Sequence, residues 1–182
     1  MNLNLLRFGA VLLVCTLAAC GNKDPIEAAV HKNDRAAVTE AVKQGADVNE
    51  KVSGGDTPLL LAVKSGQSSS AQGLIEAGAD VKAQDSDGNG VLHYAARGGM
   101  TGICGLLVDR GIAIDEKGAG GATALQFAIL AAKQETAKYL VRRGASLEQK
   151  DEAGASALDL VTRSGDTRFK SDLELAATMR SN

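Results

Sequence analysis

Gly55, Gly88, Gly121 and Gly154 are spaced 33 residues apart, and Gly45, Gly78, Gly111 and Gly144 recur at the same interval. Two glycine series in one phase mean that the chain is built from copies of one unit, so it folds as an array in which neighbouring units bury each other. The surroundings recur too: GADVN, GADVK, GIAID and GASLE follow the second series, while GDTPLLLAV, GNGVLHYAA, GATALQFAI and GASALDLVT follow the first. Each unit spells a pair of helices. Thr57 is placed to cap a helix whose first position, Pro58, needs no amide hydrogen, and Leu59, Ala62 and Val63 supply its apolar face. A glycine near Gly66 turns the chain into a second helix ending in Leu74-Ile75-Glu76-Ala77, which Gly78 closes in the left-handed conformation. Ala79 to Asp87 then forms a short extended stretch and a tight turn.

These motifs resemble the ankyrin-repeat family, whose unit carries G-x-T-P-L-H-x-A-A and, later, L-L-x-x-G-A-D-V-N. The resemblance implies an all-α solenoid of about five helix-turn-helix units joined by short hairpin turns, working as a protein-binding module. The expected units are 24–54 (N-terminal cap), 55–87, 88–120, 121–153 and 154–182 (C-terminal cap). The last contains an amphipathic helix from Arg168 to Met179, whose Lys170, Asp172 and Glu174 suit a face turned to water. His93 occupies the place of the family's T-P-L-H histidine, which implies a bracing role at the preceding turn. Some positions depart from the pattern. Gly90 replaces the capping Thr, at an expected cost of about 1 kcal/mol. Gly73, Gly102 and Gly105 fall inside second helices, each costing up to roughly 1 kcal/mol relative to Ala.

Ahead of the array, Arg7 precedes an apolar run from Phe8 to Leu17, shorter than the ~20 residues that a bilayer span needs. Residues 1–19 are therefore expected to be an export signal. Leu17-Ala18-Ala19-Cys20 resembles the lipobox of bacterial lipoproteins, which implies cleavage after Ala19, acyl chains on Cys20 and a short tether over 20–23. An ordinary signal peptide with a chance cysteine is the alternative. A lipid on Cys20 would attach the chain to the membrane without spanning it, facing the periplasm. Gly21, rather than Asp, favours the outer membrane. With Cys15 lost and Cys20 lipidated, Cys104 remains alone in the apolar run Ile103 to Leu107, where it is expected as a small buried hydrophobe.

Function classes narrow quickly. A net charge of −2 provides no basic surface for nucleic acid. Histidine occurs only at His31 and His93, and no nucleophile–base pair stands out, so neither an enzyme nor a small-molecule substrate is expected, and no cofactor. DSDGNG, Asp85 to Gly90, fits the start of a calcium loop, but Ala96 stands where that loop needs its bidentate Glu. Gly118 to Gly121 lacks the rest of a phosphate loop, and its phase places it at a turn between units.

A protein partner remains. In ankyrin-like arrays the turn tips and the adjoining first-helix face form the binding surface, here bringing in Ser86, Asp87 and Asn89. On the first helices one column runs His31, Lys64, Arg97, Leu130, Arg163, a basic ladder broken by one leucine; its neighbour runs Leu61, Tyr94, Phe127, Leu160. Either these are a solvated face and a packing column, or Tyr94, Arg97, Lys64, Arg163 and Phe127 grip an acidic protein surface. Such a module serves as scaffold or protector of a resident envelope protein, or alternatively as an immunity protein against a toxin delivered to the periplasm.

Overall fold

The computed structural model describes residues 25–179; the expected signal 1–19, tether 20–23 and lipidation site Cys20 lie outside the described residues. Within them are ten α-helices in five helix–turn–helix pairs: α1 (Pro25–His31) with α2 (Arg35–Lys43), α3 (Pro58–Lys64) with α4 (Ser68–Glu76), α5 (Val91–Arg97) with α6 (Thr101–Asp109), α7 (Ala124–Leu130) with α8 (Gln134–Arg142), and α9 (Ala157–Ser164) with α10 (Thr167–Thr178). The first helices start 33 residues apart without exception.

Local chemistry explains the boundaries. Thr57 and Ser156 each accept the third amide of their helix, from Leu60 at 3.3 Å and Asp159 at 3.2 Å, satisfying a donor that the helix itself cannot. Asp34 and Asp166 do the same for α2 and α10. Gly90 has no side chain to offer, yet its own N–H is not lost: it donates to His93 Nδ1 at 3.1 Å. A third series joins the two helices of every pair. Asn33, Gly66, Gly99, Ala132 and Gly165 all have positive φ, between 52° and 77°, so each hairpin turns on one left-handed residue. Glycine fills this place three times; Asn33 and Ala132 occupy it at a conformational cost.

Among the described residues there is no strand. Successive pairs are linked by hairpins closed by one recurring backbone bond: the amides of Val52, Asp85, Gly118 and Asp151 donate to the carbonyls of Asp56, Asn89, Ala122 and Ala155 at 2.9–3.1 Å. Isolated antiparallel bridges mark two of these hairpins, Gln84 with Gly90 and Lys117 with Thr123.

The core runs continuously along the array. Ala29, Ala62, Ala95 and Ala128 form a buried column, continued by Val161, and these small side chains let each first helix pack directly on the next. Leu59, Leu92 and Leu125 insert between them, and Leu74, Leu107 and Leu140 come from the second helices. Truncating any one of these leucines to Ala would cost about 2–5 kcal/mol. Two second-helix glycines have a packing reason. A Cβ on Gly105 would stand 2.5 Å from Tyr139 Oη of α8, and one on Gly73 would stand 3.1 Å from Arg35 Cγ of α2. The propensity lost at these sites is offset by close contact between neighbouring units. Gly102 has only open space around it.

Candidate protein-binding surface

The turn at Asp85 is organised by its own carboxylate. Oδ1 accepts from the amides of Asp87 and Asn89, both at 3.0 Å, fixing the turn as small polar residues commonly do. Oδ2 accepts from the Tyr94 hydroxyl at 2.5 Å and lies 3.2 Å from Lys64 Nζ. Lys64 also holds Asp56, at 2.9 and 3.0 Å, and its ammonium lies 5.0 Å from the centre of the Tyr94 ring. Desolvation pushes the Asp85 carboxyl up, but the bonds from Tyr94, the Asn89 amide, Lys64 and the Asp87 amide outweigh it and bring the pKa down to about 2. On Lys64 burial pulls the other way, and Asp56 and Asp85 overcome it, holding the amine above its ordinary value. DSDGNG is thus a turn whose first aspartate is consumed by internal bonds.

Of the three tip residues, Ser86 and Asp87 are exposed, but Asn89 is turned inward, only 6% exposed. Its Oδ1 accepts from the Ala119 amide at 3.0 Å, so it couples one hairpin to the next and is withdrawn from the surface. The same close approach explains Gly118, where a Cβ would meet Asn89 Oδ1 at 2.7 Å and His93 Nε2 at 3.0 Å.

The basic ladder divides in two. His31 leans on Glu27, Nε2 to Oε1 3.6 Å, and Lys64 is held as described. Neither is a spare cation. Arg97 and Arg163 are exposed and have no ion pair or hydrogen bond among the described residues, and between them Leu130 is 69% exposed. Arg163 borders a shallow cleft with Lys150, Asp159 and Thr162. In the neighbouring column Leu61, Tyr94, Phe127 and Leu160 are each half-buried between units. Phe127 meets the His93 ring edge-on, with centroids 5.3 Å apart. That column serves packing first.

His93 is a brace on both sides. Nδ1 accepts from Gly90, so Nε2 carries the hydrogen and donates to the Glu116 carbonyl of the following turn at 3.0 Å. Burial keeps the imidazole pKa low, which suits this neutral tautomer. Two equivalents escape a reading based on the histidine alone. Gln126 Nε2 donates to the Ala155 carbonyl at 2.7 Å, and Glu27 accepts from the Ser53 hydroxyl at 2.9 Å. Aligning the units by their period would have found them, because 27, 93 and 126 are one position in the repeat.

A family model for ankyrin repeats (3 copies) matches residues 6–85 and 78–151, most of the chain. The chain belongs to the ankyrin-repeat family. Ankyrin repeats are a non-enzymatic fold that commonly mediates protein–protein binding. The first matched range begins at residue 6, inside the expected export signal 1–19 and ahead of its apolar run, so residues 6–19 carry both readings. No curated protein matches the chain in the corresponding comparison.

The remaining chemistry of this ankyrin array is quiet. Cys104 is fully buried, and burial raises its thiol pKa to about 12, so it carries almost no thiolate at neutral pH. No group of three or more His, Cys, Asp or Glu among the described residues is placed to hold a metal ion, and no described helix is long and apolar enough to cross a membrane. Every buried side-chain nitrogen and oxygen among the described residues has a hydrogen-bond partner. The exposed large apolar side chains among the described residues are Leu130 at the end of α7 and, in the last repeat, Leu175 and Met179.

Proposed function

We propose that this ankyrin-repeat protein is a lipid-anchored, periplasm-facing module that binds a partner protein, as scaffold or protector of a resident envelope protein. One observation carries the binding half of the reading. In an array where every buried side-chain polar atom of the described residues is satisfied, Arg97, Leu130 and Arg163 stand exposed at one edge of α5, α7 and α9. Arginine is enriched among the energetic anchors of interfaces, and Arg97 and Arg163 have no carboxylate within ion-pair distance among the described residues. The anchoring half rests on Leu17-Ala18-Ala19-Cys20 and the short apolar run before it.

Two measurements test it. Metabolic labelling with an alkyne fatty acid should mark the wild-type chain and not Cys20→Ala, and protease added to spheroplasts should digest the repeats; labelling independent of Cys20 refutes the anchor. Affinity capture from the cell envelope should return one host protein whose stability or activity falls when the chain is absent. Capture of a toxin alone, with the chain dispensable unless that toxin is present, would replace scaffolding by immunity. No reproducible partner in either setting would refute the binding reading.

A further inference from the structure

The last turn of a first helix faces the negative end of its backbone dipole, which favours a cation there and suits Lys64, Arg97 and Arg163 alike. The same rule offers nothing to Leu130, which ends α7 and exposes most of its surface. Nothing among the described residues covers it. Its neighbours in the column are the two ladder cations that make no ion pair or hydrogen bond among the described residues. Asp159, the acidic residue whose carboxyl senses Arg163, has its Oδ2 committed to the Ser156 amide at 2.9 Å and hydroxyl at 2.7 Å. The pattern along the array is therefore cation, apolar side chain, cation, one per repeat.

We propose that Arg97, Leu130 and Arg163 form a three-point docking strip for an extended partner segment of the pattern acidic-x-x-apolar-x-x-acidic. The inference rests on the protein-binding reading above and names the partner's chemistry. Charge complementarity selects carboxylates at the two ends, and Leu130 selects an apolar side chain at the centre. Spacing selects the conformation. Helices that pack directly, as α5 on α7 and α7 on α9 do, have axes about 8–10 Å apart. A polyproline-II chain advances about 9 Å per turn of three residues, with every third side chain on one face, so it presents one residue to each repeat in register. A β-strand alternates its faces and would present the central residue and the two ends in a different rhythm.

The test uses the purified full chain in detergent and fluorescent peptides read by anisotropy at low ionic strength. The probe is Glu-Pro-Pro-Leu-Pro-Pro-Glu, with a Gln-for-Glu control and a register-shifted control in which single prolines separate the same Glu, Leu and Glu. The probe should bind at least about fivefold more tightly than either control, and Arg97→Glu or Arg163→Glu should each weaken it about fivefold or more. Leu130→Ala should weaken it about threefold, while Lys43→Glu, an equal charge change on α2, should alter it less than about twofold. Equal affinity for the shifted peptide, an equal effect of Lys43→Glu, or no measurable binding of the probe overturns the strip. A captured partner that binds Arg97→Glu and Arg163→Glu as well as wild type also overturns it, yet leaves the protein-binding reading intact.

Discussion

Lys64 Nζ lies 3.2 Å from Asp85 Oδ2, tying the first helix of one repeat to the turn that opens the next. Since Asp56 and the Tyr94 ring complete its surroundings, Lys64 is a structural cation despite its place in the ladder. Lys64→Gln should destabilise the fold by about 1–3 kcal/mol, because Asp56 and Asp85 are left without their shared cation. Partner affinity of the folded variant should stay within about twofold of wild type. Urea unfolding and a binding isotherm on the same sample check both halves.

Acid should loosen the same turn. The Asp85 pKa falls from 3.8 to about 2 on folding, so between those values the unfolded chain binds more protons than the folded one. Its contribution is therefore complete above pH ~4 and is lost as pH falls towards ~2. The gap in melting temperature between wild type and Asp85→Asn should shrink across that window. Tyr94→Phe removes the bond that lowers the pKa most and should shift the window upward. A gap that is constant with pH would contradict this picture of the turn.

Two glycines three residues apart in α6 should respond oppositely to alanine. Gly102→Ala adds a Cβ to open space and should stabilise by about 0.5–1 kcal/mol through helix propensity. Gly105→Ala drives a Cβ against Tyr139 Oη and should destabilise by about 1–3 kcal/mol. Tyr139→Phe should relieve part of the Gly105→Ala penalty. Denaturation midpoints of the three variants and of the double mutant decide it.

Ala132 is the one described residue other than Asn33 with positive φ outside glycine, at 55°. A left-handed alanine costs roughly 1–2 kcal/mol, partly cancelled by the greater chain entropy of glycine when unfolded. Ala132→Gly should therefore stabilise by about 0.5–1 kcal/mol, read as a higher denaturation midpoint at unchanged slope.

The repeat was legible because its turns demand particular residues: positive φ at Gly78 or Gly144 leaves a mark in the sequence that pattern alone reveals. Helix starts at Thr57 and Ser156 were legible for the same reason. The state of each surface charge was not. Lys64 and Asp85 are 21 positions apart in the chain, and only the packing of one turn on the preceding helix brings them together. Asn89 reads as a polar tip residue, yet the following hairpin approaches so closely that its side chain turns inward to the Ala119 amide. Gly105 reads as a weak helix position until Tyr139, one repeat later, is placed against it. Local conformational rules are written residue by residue, whereas pairing between repeats depends on side chains far apart in sequence.

The exposed edge of the first helices is the central functional assignment, and site-specific photo-crosslinking in the living cell tests it most directly. A photoreactive phenylalanine analogue is placed at Leu130 in one variant and at Gln72, on the second helix α4, in another. The expected result is one discrete protein adduct from position 130 and none from position 72. An adduct from position 72 with none from position 130 would place the partner on the opposite helices and contradict the assignment.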